Sequence, residues 1–281
     1  MPTISQNDSI YGGLNIFLQS KDAQKRDNVD SNVDFYLETI ITHPRKDIGM
    51  LISVLDAEIP YSWYNISEHI GNNTLTIGDT TITLPEKNYS AFSLVDAFNQ
   101  AFQSLNTPLN VVMSFNDNTN KFSLTSPNQF TLTKTTMQKE LGMHDLPFTG
   151  TDYTSSKCVN LSGTSSVYIR SENMNINNIN SMGRVNGVLA KILVNASPST
   201  FIFHQPTTPQ YFLLGNSLNY INIQLKNDDN QFIDLNGLDF SLTLSVEYFR
   251  RRDDFINYKY YLHSIDDKKQ STDANTLEAQ K

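Results

Sequence analysis

Apolar side chains recur at every second position over much of this chain. In "VDFYLETIITH" (33–43), Val33, Phe35 and Leu37 alternate with Asp34, Tyr36 and Glu38, and "DIGMLISVLDAEIP" (47–60) stays largely apolar until Pro60. Period two puts alternate side chains on opposite faces of a pleated strand, and a proline cannot donate to its ladder. From Ser165 the pattern predicts "SSVYIRSE", "GVLAKILVN", "STFIFHQ", "QYFLLGN", "LNYINIQLKN" and "LDFSLTLSVEYFR" as successive strands, parted by polar stretches such as "NMNINNINSMGRVN", "PTTP" and "DDNQFIDLNG". With the strands before residue 61 they number about eight, as in a double-sheet jelly roll. The reading is an all-β chain, a single jelly-roll β-sandwich over 32–61 and 148–252.

Residues 62–147 interrupt that rhythm. "TLTIG" and "TTITLP" predict a hairpin about Gly78-Asp79, a two-residue turn with glycine first. Leu94, Val95, Phe98, Phe102 and Leu105 then recur at helical steps on one face, with Ser93 as the expected cap and Asp96 in the first turn. "NVVMSFNDNTNKFSLTSP" reads as a second hairpin turning at "NDNTN", "QFTLT" as a further strand, and "TTMQKELGM" as a short helix closed by Gly142. This spacing predicts a small inserted α+β domain, strand-strand-helix-strand-strand. The cost of closing a loop grows slowly with its length, so a strand connection can hold such a unit.

The ends differ. Residues 1–31 are polar around the short "LNIFL", which predicts a mobile arm that orders against a neighbour through Leu14, Ile16, Phe17 and Leu18. Residues 253–281 pass from "FINYKYYLH" to a polar stretch and read as a partly disordered tail, with Phe255, Tyr258, Tyr260 and Tyr261 as packing groups.

Composition narrows the function classes. The 281 residues are 38% hydrophobic, with 16 Phe and 13 Tyr against one Trp, which suits short strands and polar turns. A formal charge of −8 argues against wrapping nucleic acid, which needs a clustered basic face. Arg250, Arg251 and Arg252 form the one basic run; it reads as a solvated strand end, with a phosphate or acidic partner as the alternative. One cysteine, Cys158, excludes an intrachain disulfide and a Cys-based zinc site, and reads as a small residue near a strand start. The amino terminus lacks the basic and apolar regions of a signal peptide, and no apolar run reaches a membrane span. The sequons at Asn65, Asn72, Asn88, Asn160 and Asn195 are then what an Asn- and Ser-rich chain contains by chance.

Candidate chemistry is sparse. His43, His69, His144, His204 and His263 lie at no spacing that puts two imidazoles on one metal, against an enzyme of the cupin type. No nucleophile elbow or phosphate loop occurs. Asp228, Asp229, Asn230, Asp234 and Asn236 offer oxygen ligands for calcium without the glycine and glutamate of a calcium loop, and a hairpin loop is the simpler reading. Trp63, with Tyr61 and Tyr64, reads as a pin between the two domains or as a stacking platform for a sugar or base. No catalytic, cofactor or metal residue is assigned.

The phrases "EIPYSWYNISE", "NNTLTIGDTTITLPEKNYSAFSLVDAFNQAF", "FNDNTNKFSL", "LGM", "GVLAKILVN" and "LNYINIQLKNDDNQFIDLNGLDFSLTLSVEYF", in this order, resemble the minor capsid, or penton, proteins of virophages and Polinton-like DNA viruses. The resemblance spans roughly residues 33–250, and the inserted block alone also resembles small domains of phage tail and flagellar cap proteins. It implies a single jelly roll with strands upright on the capsid, assembled as a homopentamer at icosahedral vertices beside a major capsid protein, with the insertion projecting outward. It also implies a virion location after synthesis in the host cytoplasm. The other reading is a carbohydrate- or receptor-binding module carried by residues 62–147.

Overall fold

The computed structural model describes residues 10–26, 30–42, 48–105, 109–174, 187–215 and 217–250. In chain order the strands begin with β1 Ile10–Gln19, β2 Lys25–Arg26, β3 Asn32–Thr42 and β4 Ile48–Pro60. Next come β5 Thr74–Ile77, β6 Thr80–Thr83, helix α1 Ala91–Ser104, β7 Val112–Asn116, β8 Lys121–Thr135, helix α2 Gln138–Leu141 and β9 Phe148–Thr154. The chain closes with β10 Ser166–Arg170, β11 Val188–Leu193, β12 Phe201–His204, β13 Phe212–Leu214, β14 Ser217–Lys226 and β15 Ser241–Arg250. They fall into two compact units: 1–61, 167–226 and 235–281 in the first, 62–166 and 227–234 in the second.

The first unit is a jelly-roll sandwich, and its connectivity shows why. One sheet runs β1-β15-β4-β12, with β13 also on β4, and the other β11-β10-β14-β3-β2. With β2 counted into β3 and β12 with β13 as one edge strand, the chain visits the sheets as first-second-first-second, then second-first-second-first. That nesting is two Greek keys rolled together. Inward side chains fuse the sheets: Ile52, Val54, Leu244 and Val246 from one, and Phe35, Val167, Ile169, Ile221 and Ile223 from the other, none above 5% exposed. Full burial of each such side chain is worth about 1.5–3 kcal/mol.

The arm expected over residues 1–31 is in part the first strand. β1 pairs antiparallel with β15, Leu18 opposite Leu242 and Ile16 opposite Leu244. Ile16 and Leu18 are buried while Asn15, Phe17 and Gln19 face out, a period-two pattern whose other half lies more than two hundred residues along the chain. The register shifts between Ile10 and Gly13. There Gly12 has φ +109° and a Cβ on Gly13 would stand 2.8 Å from the Val246 carbonyl oxygen, so the bulge needs glycine. The eight-strand count therefore rests on different strands from those expected: β1 enters it, and the separately counted β12 and β13 lie end to end on β4, opposite Ala57–Pro60 and Met50–Ile52.

The second unit lays α1 on a five-stranded sheet of β6-β5-β8-β7 with β9 on β8. Leu94, Phe98 and Phe102 of α1 are fully buried together with Leu75, Phe122, Leu124 and Leu132 of the strands. The helix cap is Ser90 rather than Ser93: the Ser90 side chain accepts from the Ser93 backbone N–H, and Ser93 sits at the third helical position and closes the box. Two serines three residues apart fit both roles, and the box satisfies two otherwise orphaned donors. Asp96 accordingly lies beyond the first turn. "KFSLT" and "QFTLT" are one long strand, β8. β9 extends this unit past residue 147 by pairing with β8, and α2 ends at Gly142, φ +68°, as expected. The tail from 253 lies outside the described residues.

Candidate functional site: the flanks of the sandwich

Large apolar side chains that stay exposed are few and are sorted by strand. Among the described residues of the sandwich they are Phe17 on β1, Tyr36 and Ile40 on β3, Leu193 on β11, Phe201 and Phe203 on β12, Leu213 on β13, and Leu238 in the loop before β15. Among the described residues none lies on the central strands β4, β10, β14 and β15. Short connections gather these strands into two flanks. β1 leads through a 3-10 turn, Ser20–Asp22, into β2, which pairs with β3. β11 is followed within the chain by β12, the opposite edge of the other sheet. One flank thus carries Phe17, Tyr36 and Ile40, the other Leu193, Phe201, Phe203 and Leu213.

The edges of the β1-β15-β4-β12 sheet are also bare of the usual guards. Edge strands that must not pair with a neighbour carry lysine, proline or inward charges. From Gly12 to Gln19, β1 has none, and neither "FIFH" of β12 nor "FLL" of β13 carries a lysine, an acid or a proline. Phe203 is 67% exposed and Phe17 76%. The Phe201 and Phe203 rings lie 6.4 Å apart. On the first flank, β3 is irregular: Tyr36 pairs with Tyr220 and Ile41 with Leu218, so residues 37–40 stand against Asn219 alone. This bulge leaves Glu38, Thr39 and Ile40 exposed.

The outer face of the β11-β10-β14-β3 sheet is polar and tightly bonded. Asp34, which the alternation places on a polar face, is buried, and its carboxylate accepts from the Tyr220 hydroxyl at 2.7 Å and from Asn222 Nδ2 at 2.8 Å. Burial and the Asp34 hydrogen bond hold the Tyr220 phenol well above its ordinary range. Where β10 ends, the Asn173 side chain takes over the ladder, donating to the Tyr220 carbonyl and accepting from the Asn222 backbone N–H. Toward β11 the face carries Lys191, Arg170 and Lys226 with a single acid, Glu172, near them. Lys191 lies over the Tyr168 ring at 5.5 Å, and burial, then the nearby Arg170 charge, lower the Lys226 ammonium pKa.

The other sequence candidates go elsewhere. Trp63 is 3% exposed, so its face is no open stacking platform. Asp228 is a bracket: its carboxylate accepts from Ser165 N–H, Ser165 Oγ and Ser166 N–H at 2.9–3.1 Å. Asp229 lies 3.7 Å from Lys139, and Asn230 and Asn236 take positive φ at turns. Among the described residues no three His, Cys, Asp or Glu side chains gather around one metal position. His69 bonds the Phe232 carbonyl at 2.8 Å, while His43 and His263 lie outside the described residues, as do Arg251 and Arg252. Cys158 is exposed. No helix among the described residues is long and apolar enough to cross a membrane.

Two of the sequons prove to be structural. Asn65 is buried; its Nδ2 donates to the Tyr89 and Leu161 carbonyls and its Oδ1 accepts from Tyr89 N–H, all at 2.9–3.0 Å. Asn72 donates to the Asn65 carbonyl and to Glu140. These amides tie the first residues of the second unit to its last, around a cleft of about 40 Å3 also lined by Lys139, Asn160, Thr164 and Asp228. That room suits a few waters. The flanks were missed because exposure of an alternating apolar residue cannot be read until the strand's neighbours are known.

No family model matches the chain, and no curated protein matches it. Among solved structures, the chain is similar to a selenomethionine-labelled penton protein of mavirus, with 14% sequence identity and a TM-score of 0.45 over 86% of this chain and 99% of that one.

Proposed function

We propose that this chain is a structural subunit of a viral shell, a penton or minor capsid protein that closes into a homopentamer at an icosahedral vertex, beside a major capsid protein. The observation that carries the reading is the sorting of exposed apolar side chains onto two unlike flanks of one jelly roll. Unlike surfaces on opposite sides make a head-to-tail contact, which closes a ring when the rotation per copy allows. A stable contact needs roughly 1,000 Å2 or more, and aromatic anchors such as Phe17 and Phe203 are the residues from which such contacts draw most energy. The order of phrases in the sequence supports the same family of assemblies. The work done by the protein is burial of surface between copies, and the reading assigns no catalytic step.

Mass measured by light scattering over a range of concentrations tests this. The expected result is a concentration-dependent rise to a five-copy species. Phe17→Asp and Phe203→Asp should each stay monomeric alone, and an equimolar mixture should stop at a dimer, because each variant keeps one working flank. A wild-type chain that is monomeric at every concentration would overturn the proposal. A single variant that still dimerises would overturn the head-to-tail geometry.

A further inference from the structure

The flanks differ in charge as well as in shape, and the difference identifies a specific contact. The bulge of β3 presents Glu38 and, two residues on, Ile40, both exposed, with Ile40 at 56%. At the far edge of the same sheet, β11 presents Lys191 and, two residues on, Leu193, both exposed, with Leu193 at 66% and the buried Ile192 between them. Each edge therefore offers one charge and one large aliphatic side chain at equal spacing, and the charges are opposite. Glu38 has no hydrogen bond or ion pair within the described chain. Lys191 stands at the rim of a face end where Arg170 and Lys226 on the next strands outnumber the one nearby acid, Glu172.

We infer that the bulge of β3 in one copy docks against the β11 edge of the next, with the Glu38 carboxylate beside the Lys191 ammonium and Ile40 packed on Leu193. The occupant of each edge is a second copy of this chain, selected by charge complementarity. This rests on the head-to-tail reading above and deepens it, because it names which side chains meet and which end of each flank leads. Long side chains reach diagonal as well as directly opposite neighbours across paired edges, so the contact tolerates a residue of slippage in register. A charge pair at the rim of an interface acts mainly on association rate and on rejection of wrong pairings, which is the selectivity a ring of identical copies needs against flank-to-like-flank contacts.

Charge reversal on the full-length chain tests the contact. Glu38→Lys and Lys191→Glu should each weaken assembly about fivefold to tenfold at low salt, since each replaces attraction by repulsion. The double variant Glu38→Lys/Lys191→Glu should recover to within about threefold of wild type, and the losses should shrink at about 0.5 M salt. The readout is the concentration midpoint of assembly by sedimentation velocity. Single variants with an unchanged midpoint, or a double variant as weak as the two losses combined, would overturn the pairing while leaving the ring intact. A wild-type chain that never assembles would remove both the pairing and the reading beneath it.

Discussion

On the open face of the second unit's sheet, hydroxyl side chains bond one another across strands: Thr76 to Thr81 at 3.1 Å, Ser123 to Thr154 at 2.9 Å and Thr131 to Thr149 at 3.1 Å. On the flanks of the sandwich, Phe17, Phe201, Phe203 and Leu213 stand exposed on strands β1, β12 and β13, which carry no protecting charges. Both regions are β-sheets with one buried face. The open sheet face of the second unit satisfies its hydroxyls internally, although Phe92 and Val112 of that unit are exposed too, while the sandwich leaves a larger number of apolar side chains in water. Among the described residues, exposed apolar side chains are thus more numerous on the sandwich than on the insertion, which is the difference the proposed assembly rests on.

The two regions also differ in how far along the chain their partners lie. The sandwich closes only when Leu18 meets Leu242, whereas the second unit pairs β5 with β6 across Gly78-Asp79 and β7 with β8 across a short turn. If each region holds its own core, Phe98→Ala, which opens a void under α1, should cost the second unit about 3–5 kcal/mol. Hydrogen exchange should then accelerate in β5–β9 while the amides of β4, β14 and β15 keep their protection. Equal loss in both regions would show one cooperative core and erase the distinction.

A smaller effect should come from the clasp of the second unit. Asn65→Ala leaves the Tyr89 N–H and the Tyr89 and Leu161 carbonyls without their buried partner, a loss of about 1–3 kcal/mol, read by urea unfolding of that unit. Assembly through the flanks should be unchanged in light scattering under native conditions. A parallel loss of assembly would tie the clasp to the flanks.

The smallest effect concerns acid. The Tyr153 hydroxyl, at 2.5 Å, holds the Asp145 carboxyl below its usual range. Burial pushes the Asp228 carboxyl up, but the hydrogen bonds from Ser165 and Ser166 outweigh it and the net shift is downward. A carboxyl lower in the folded than the unfolded state stabilises the fold above about pH 4 and loses that contribution as pH falls through its folded value. Protection factors, taken against the slower intrinsic exchange in acid, should therefore fall in residues 142–166 between about pH 5 and about pH 3 before they fall in the sandwich core, and the reverse order would remove these two carboxylates from the account.

What was legible in the sequence was whatever is written locally. Period-two alternation marked β3, β4, β10, β11, β12, β14 and β15. The helical spacing of Leu94, Phe98 and Phe102 marked α1, and Gly78, "NDNTN" and Gly142 marked turns and a helix end. These signals hold because a strand, a helix or a turn is specified by side chains within a few residues of one another. Long-range contact decided the rest. "LNIFL" is a strand because β15 lies beside it; Asp34 is buried because Tyr220 and Asn222 close over it; Asn65, Asn72 and Asp228 became clasps because distant segments met there. Phe17 and Phe203 are exposed because their strands ended at the edges of one sheet. Alternation says which side chains share a face, but whether that face meets a core, a polar cover or open water depends on which strands pair, and pairing across two hundred residues leaves no local mark.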